Sequence, residues 1–131
     1  MWKFIDKYLL HLTLLWTLCI FVLCATPGQY IPSITWLDLL SFDKFVHASM
    51  FFILSTMLLL IAQKRQLKAY YNFLFLNMAV IFGISLEIMQ ATVFVNRSAD
   101  KNDMIANSFG CIVALLLKRK IYKGFVTAVN R

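Results

Sequence analysis

Charge is scarce in this chain: only 15% of its 131 residues are Asp, Glu, Lys or Arg, against 61% hydrophobic. A soluble domain of this size has too little polar surface to hide so much apolar side chain. Exposed apolar patches on soluble monomers rarely exceed a few hundred Å². An ordinary water-soluble domain is therefore excluded, whereas a bilayer would solvate the outside of a helical bundle. Acidic residues are the rarer sign, 6 against 13 basic, which leaves a net charge of +7. In a soluble protein that balance would raise nucleic acid as a partner. Here the basic residues stand in short clusters between apolar stretches, so the membrane accounts for them and no nucleic-acid partner is expected.

Cysteine is sparse as well. Cys19, Cys24 and Cys111 lie inside apolar stretches, and none forms a close metal-ligand pair. They read as small apolar packing residues and are silent on the redox compartment. No internal repeat or low-complexity tract interrupts the chain, so a single domain over 1–131 is expected.

What the sequence does contain is four apolar stretches, over about 8–25, 45–62, 73–95 and 104–117. A membrane helix needs about 20 mostly apolar residues to cross about 30 Å of hydrocarbon. Pro27 and Gly28 end the first stretch, since proline cannot continue a helix and glycine suits its exit. That stretch is long for a signal-peptide core and no clear small-x-small site follows it, so it is read as a retained helix. Asp43 and Lys44 stand at the mouth of the second, which Lys64, Arg65 and Lys68 close. The third is apolar except for Asn77, Ser85, Glu87 and Gln90, and the fourth runs into Lys118-Arg119-Lys120. The fourth is short: at 1.5 Å per residue, its span rises only about 21 Å. A polar recess around Asp103 and Asn107 would accommodate it. The expected fold is all-α, a bundle of four transmembrane helices.

Charge counting orients the bundle. With the N-terminus cytoplasmic, Lys3, Lys7, Lys64, Arg65, Lys68, Lys118, Arg119, Lys120, Lys123 and Arg131 lie inside, and only Lys44, Arg97 and Lys101 outside. Ten against three is a strong positive-inside bias. Both termini are then cytoplasmic, and the long loop over 26–42 is extracytoplasmic, with Tyr30 and Trp36 suited to the interface.

On this topology the unusual polar residues fall at one level, on the outer side. Asp43 and His47 are i,i+4 and share a helix face, as do Asp103 and Asn107. Glu87 and Gln90 are i,i+3, with Gly83 one turn below Glu87. Asn107, Gly110, Cys111 and Ala114 form a small-residue stripe that permits close helix packing. Three helices can thus aim polar groups into one pocket, whose candidate binding residues are Asp43, Lys44, His47, Glu87, Gln90, Arg97, Asp100, Asp103 and Asn107.

Glu87 is the most informative of these. A carboxyl group within an apolar span costs several kcal/mol unless paired, hydrated or protonated. Its expected partners are Arg97, His47 and Lys44. It is either functional or a clamp that holds the outer loop through Arg97. His47 can move protons, ligate metal or simply hydrogen-bond. Asp100 and Asp103 can touch a divalent cation, although a helix cap at Asp103 is the favoured alternative. Arg97 suits a phosphate or carboxylate. No cofactor or bound metal is expected from the pattern.

This ordered set resembles the VanZ-like membrane proteins. The resemblance lies in Asp43-Lys44-Phe45-Val46-His47, then Gly83 with Glu87 and Gln90, then Arg97, Asp100, Asp103, Asn107 and Gly110, with Pro27 closing the first helix. It implies a place in the bacterial cell envelope, in the cytoplasmic membrane. The family's founding member is associated with resistance to teicoplanin, a lipid-tailed glycopeptide antibiotic. Membrane lipids, a lipid-linked envelope precursor or a lipoglycopeptide are the partners this implies.

Two functions from different classes follow. The first is a binding or accessory protein whose outer pocket holds a lipid head group or a lipid-tailed ligand. The second is a membrane-embedded enzyme acting on a phospholipid or lipid-linked substrate, with Glu87 or His47 as general base and Arg97 stabilising negative charge. A transporter would need polar groups continuing inward, and Ser55, Thr56 and Asn77 are a thin supply. A purely structural bundle leaves the clustering to coincidence.

Overall fold

The computed structural model describes residues 1–26, 36–94 and 100–130, without the side chains of 36–41. Four helices make up this part of the chain: α1 (Trp2–Ala25), α2 (Trp36–Lys64), α3 (Tyr70–Thr92) and α4 (Lys101–Val129). Three segments are long and apolar enough to cross a membrane: Trp2–Ala25, Phe42–Lys64 and Tyr70–Thr92. The protein is therefore an all-helical chain with the makings of a membrane protein. α4 is not among these segments, because charged residues flank its apolar run at Asp103 and Lys118.

Helix boundaries differ from the apolar boundaries in an instructive way. The expected fourth segment, 104–117, is the apolar centre of a much longer helix. Its 29 residues rise about 43 Å. Lys118-Arg119-Lys120 end the apolar run but not the helix, since basic residues are good helix formers. Beyond them Ile121, Tyr122 and Phe125 pack against Leu9, Leu60 and Ile61. α1 likewise begins before the expected 8–25 segment, and its one non-helical residue is Tyr8 (φ −106°, ψ 15°). The kink coincides with the start of the apolar run. α2 starts at Trp36 rather than near 45. α3 ends at Thr92, where Val93 and Phe94 both donate to the Met89 carbonyl.

The helices alternate in direction. Lys64, at the end of α2, reaches Asp6 near the start of α1, with Nζ 2.8 Å from Oδ1. Trp2 meets Phe125 edge to face. Both ends of the described chain thus lie at one end of the bundle. α2 turns into α3 through Gln66, a non-glycine residue in the left-handed region (φ 50°). The Leu67 amide donates to the Ala62 carbonyl at 2.9 Å, the long bond of a Schellman motif.

α2 and α4 form the closest pair. The small-residue stripe of α4 is buried along Asn107, Gly110, Cys111 and Ala114. A Cβ on Gly110 would run into the Ala48 carbonyl and lie only 2.9 Å from the Phe52 nitrogen. Against this pair sits a core of Ile20, Phe51, Leu54, Leu86 and Cys111. Trp16 ties α1 to it, its indole donating to the Met50 carbonyl at 3.1 Å.

The outside is apolar. Leu14, Leu18 and Val22 of α1, Ile81 and Ile88 of α3, and Ile105, Phe109, Ile112 and Leu116 of α4 are all exposed. Exposed polar side chains on α3 satisfy themselves within the helix. Asn77 donates to the Phe73 carbonyl and Ser85 to the Ile81 carbonyl, each at 2.8 Å. That arrangement suits a surface facing lipid, where no water would complete the bonds.

Candidate functional site

At the end of the bundle opposite Trp2 and Phe125, three helices bring their polar residues together. α2 contributes Asp43, Lys44 and His47. α4 contributes Asp100, Asp103 and Asn107 from its cap and first two turns, and α3 contributes Glu87. The close α2–α4 approach at Gly110 is what lets side chains two turns above it meet.

Lys44 is the hub. Its ammonium lies 2.6 Å from Asp100 Oδ2, 3.5 Å from Asp43 Oδ2, and in close contact with Asp103 Oδ1. Three carboxylates already hold this charge. For Lys44 to meet an anionic ligand, as the sequence leads one to expect, a carboxylate would have to release it.

His47 is buried beneath them. Nδ1 lies 3.2 Å from Asn107 Oδ1 and 3.9 Å from Glu87 Oε1. Nε2 lies 3.7 Å from Asp43 Oδ1 and 3.9 Å from Asp103 Oδ2. The imidazole thus has an amide and a carboxylate on one side and two carboxylates on the other.

Glu87 is 1% exposed. Its Oε2 accepts from the Asp100 backbone N–H at 3.2 Å, which fastens α3 to the start of α4. Its Oε1 has no hydrogen-bond partner among the described residues. Of the partners expected from sequence, His47 is near, while Lys44 is paired elsewhere. Arg97 lies outside the described residues. The Asp100 amide was not legible beforehand, because a backbone donor carries no residue-type signal.

The helix cap is Asp100, not Asp103. Asp100 Oδ1 accepts from the Asn102 N–H at 2.8 Å, and Asp103 falls in the first helical turn. The signal was present in Asp100-Lys101-Asn102-Asp103, an N-cap type followed three residues later by an acid. Asp103 is thereby freed to turn inward, and it is buried. Gln90, also buried, donates its amide to the Cys24 carbonyl at 3.1 Å. It fastens the last turn of α1 to α3 at the edge of the cluster. Gly83 clears space below: a Cβ there would lie 3.0 Å from the Phe51 ring and 3.2 Å from Asn107 Nδ2.

The hydrogen bond from the Lys44 ammonium, followed by that from the Asn102 amide, holds the Asp100 carboxyl below the usual aspartate range. A depressed folded-state pKa stabilises above the unfolded value, and the effect is lost as pH falls through the folded one. The start of α4 is therefore expected to loosen as pH drops below about 4, an unperturbed aspartate's range. Hydrogen exchange at the Asn102 amide checks this. Asp100→Asn should flatten the acid limb while keeping the cap, since asparagine also caps.

No family model, curated protein or solved structure matches this chain. The functional reading therefore rests on the geometry. Among the described residues, four carboxylates face one ammonium and one imidazole at a single level of the bundle, and the cluster reaches the surface at Asp43 and Asp100, whose side chains are 50% and 38% exposed.

Proposed function

We propose that this chain is a four-span protein of the bacterial cytoplasmic membrane whose outer end binds a lipid head group or a lipid-tailed ligand. The observation that carries the reading is the buried Glu87 carboxylate, one oxygen unpartnered among the described residues, inside a cluster that opens outward at Asp43 and Asp100. Ionisable groups at membrane depth are expensive and by default mark a function. The positive-inside count supports cytoplasmic termini, with the cluster on the opposite face. α4 would be the fourth span, its buried Asp103 and Asn107 shielded from lipid by α2 and α3. The ordered residues from Asp43 to Gly110 support kinship with VanZ-like proteins, and with it an envelope role towards lipid-linked precursors or lipoglycopeptides.

A second reading, an enzyme acting on a phospholipid or lipid-linked substrate, is favoured by one observation. Glu87 Oε1 and His47 Nδ1, 3.9 Å apart, form a pair from which a general base can be built.

Mass spectrometry of co-purifying lipids tests the binding reading, using wild type, Glu87→Gln and Arg97→Ala at matched yield and fold. A specific lipid retained by wild type and lost in both folded variants is expected. Identical bulk-lipid profiles in all three would reduce Glu87 to a structural clamp on α4.

A further inference from the structure

Asp43, His47 and Asp103 each offer one ligand atom within 4.8 Å of the others. The division of oxygens among them matters more than the clustering. Lys44 occupies Oδ2 of Asp43 and Oδ1 of Asp103, whereas the other oxygen of each, Oδ1 and Oδ2, faces His47 Nε2 at 3.7 and 3.9 Å. The lysine therefore neutralises one side of each carboxylate without taking the oxygens that converge on the imidazole.

The far side of the ring fits the same purpose. Nδ1 lies against Asn107 Oδ1 at 3.2 Å, an acceptor for an Nδ1–H. A neutral imidazole donating there carries its lone pair on Nε2, directed at the two carboxylate oxygens. Three lone-pair atoms facing one another repel unless a cation lies between them. Glu87 supplies the independent observation. Its Oε1 is buried, without a hydrogen-bond partner among the described residues, and 3.9 Å from Nδ1. At that distance it does not accept the Nδ1–H, which faces Asn107, but its negative charge behind the ring favours a cation at Nε2.

Charge points the same way. Asp43, Glu87, Asp100 and Asp103 face a single lysine among the described residues, so the cluster is anionic when its acids are ionised. Metal–ligand bonds of about 2.0–2.2 Å place neighbouring ligand atoms about 3.0–3.5 Å apart. The two imidazole–carboxylate separations need to contract by a few tenths of an ångström, and the two carboxylate oxygens, within 4.8 Å of each other, have to draw together as well. Asp43, half exposed and near the mouth, is free to make that adjustment.

We infer that Asp43, His47 and Asp103 bind a divalent transition-metal ion of the zinc class, with Asn107 backing the histidine. One nitrogen and two carboxylate oxygens suit Zn²⁺, Co²⁺ or Mn²⁺. Three protein ligands leave at least one coordination position open, towards the surface at Asp43. The inference does not depend on the lipid-binding reading, because the ion alone is the ligand.

The test uses the full chain, purified in detergent, stripped with chelator and titrated with Co²⁺ followed by visible absorption, with Zn²⁺ as competitor. One saturable ion per chain is expected, displaced by Zn²⁺. Asp43→Asn and His47→Gln should each weaken it at least about tenfold, a loss usual for changes at or next to a metal ligand. Asp43→Asn keeps the test decisive, since a half-exposed side chain leaves the core intact. Asp6→Asn, at the opposite end of the bundle, should bind as wild type does. No saturable binding by the folded wild type, or unchanged affinity in either ligand variant, would overturn the site.

Discussion

Gly110→Ala is expected to destabilise the bundle more than a methyl added at either of the other described glycines, Gly83 and Gly124. The new Cβ would meet the Ala48 carbonyl and the Phe52 nitrogen, both backbone atoms of α2. A side chain can rotate away from such an intrusion, but a helix backbone must move as a unit. Overpacking of this kind costs about 1–3 kcal/mol, and more where backbone has to shift. The displacement would also pull Asp103 and Asn107 away from Lys44 and His47. Gly124 supplies the control, because a Cβ there meets nothing within 4 Å. Gly124→Ala should gain roughly 0.5–1 kcal/mol from helix propensity alone. Reversible unfolding of both variants in one detergent checks the pair. Equal effects would mean that α2 and α4 are not in close contact at Gly110.

Lys44→Met should produce the next largest loss. Methionine keeps most of the side-chain length and removes the ammonium. Asp103, buried, would lose its cation, and Asp100 and Asp43 would stand beside it with like charge. Breaking a buried ion pair costs about 3–5 kcal/mol, because the remaining charge is left uncompensated. Lys44 keeps 22% of its side chain exposed, so the low end, about 3 kcal/mol, is expected. Lys44→Met combined with Asp103→Leu should recover much of the loss, since an apolar pair of similar volume leaves no stranded charge. A double-mutant cycle on unfolding free energy measures the recovery. Simple additivity of the two losses would show that Asp103 draws its stabilisation from elsewhere.

These two positions differ in how visible they were. Gly110 could be suspected from Asn107, Gly110, Cys111 and Ala114, a helical stripe of small residues. The partner helix and the depth of contact could not. Lys44 was visible as an outer-side cation suited to an anionic ligand. Its three carboxylate partners come from two helices, and residues 56 and 59 positions apart are joined only by folding. His47 and Glu87 were singled out because a titratable group in an apolar span is conspicuous. That Glu87 reaches the Asp100 amide was hidden, since every residue but proline carries the same donor. The assignment of the cap to Asp103 failed because two aspartates three apart compete for one role. The chain enters the helix at Asp100, and Asp103 faces inward.

The sequence by itself determined the all-helical class, the apolar segments and the gathering of polar residues at one end. Each follows from local composition and spacing. It could not determine where the helices stop, because hydropathy marks where lipid-compatible surface ends and not where backbone hydrogen bonding ends. Lys118 to Val129 continue α4 with Ile121, Tyr122 and Phe125 packed inward, a stretch too charged to read as part of an apolar span. Nor could it determine which oxygen of which carboxylate takes Lys44 and which faces His47. That depends on the α2–α4 separation set at Gly110 and on the rotation of each helix about its axis. Both are outcomes of packing across the whole interface, and no stretch of sequence encodes either alone.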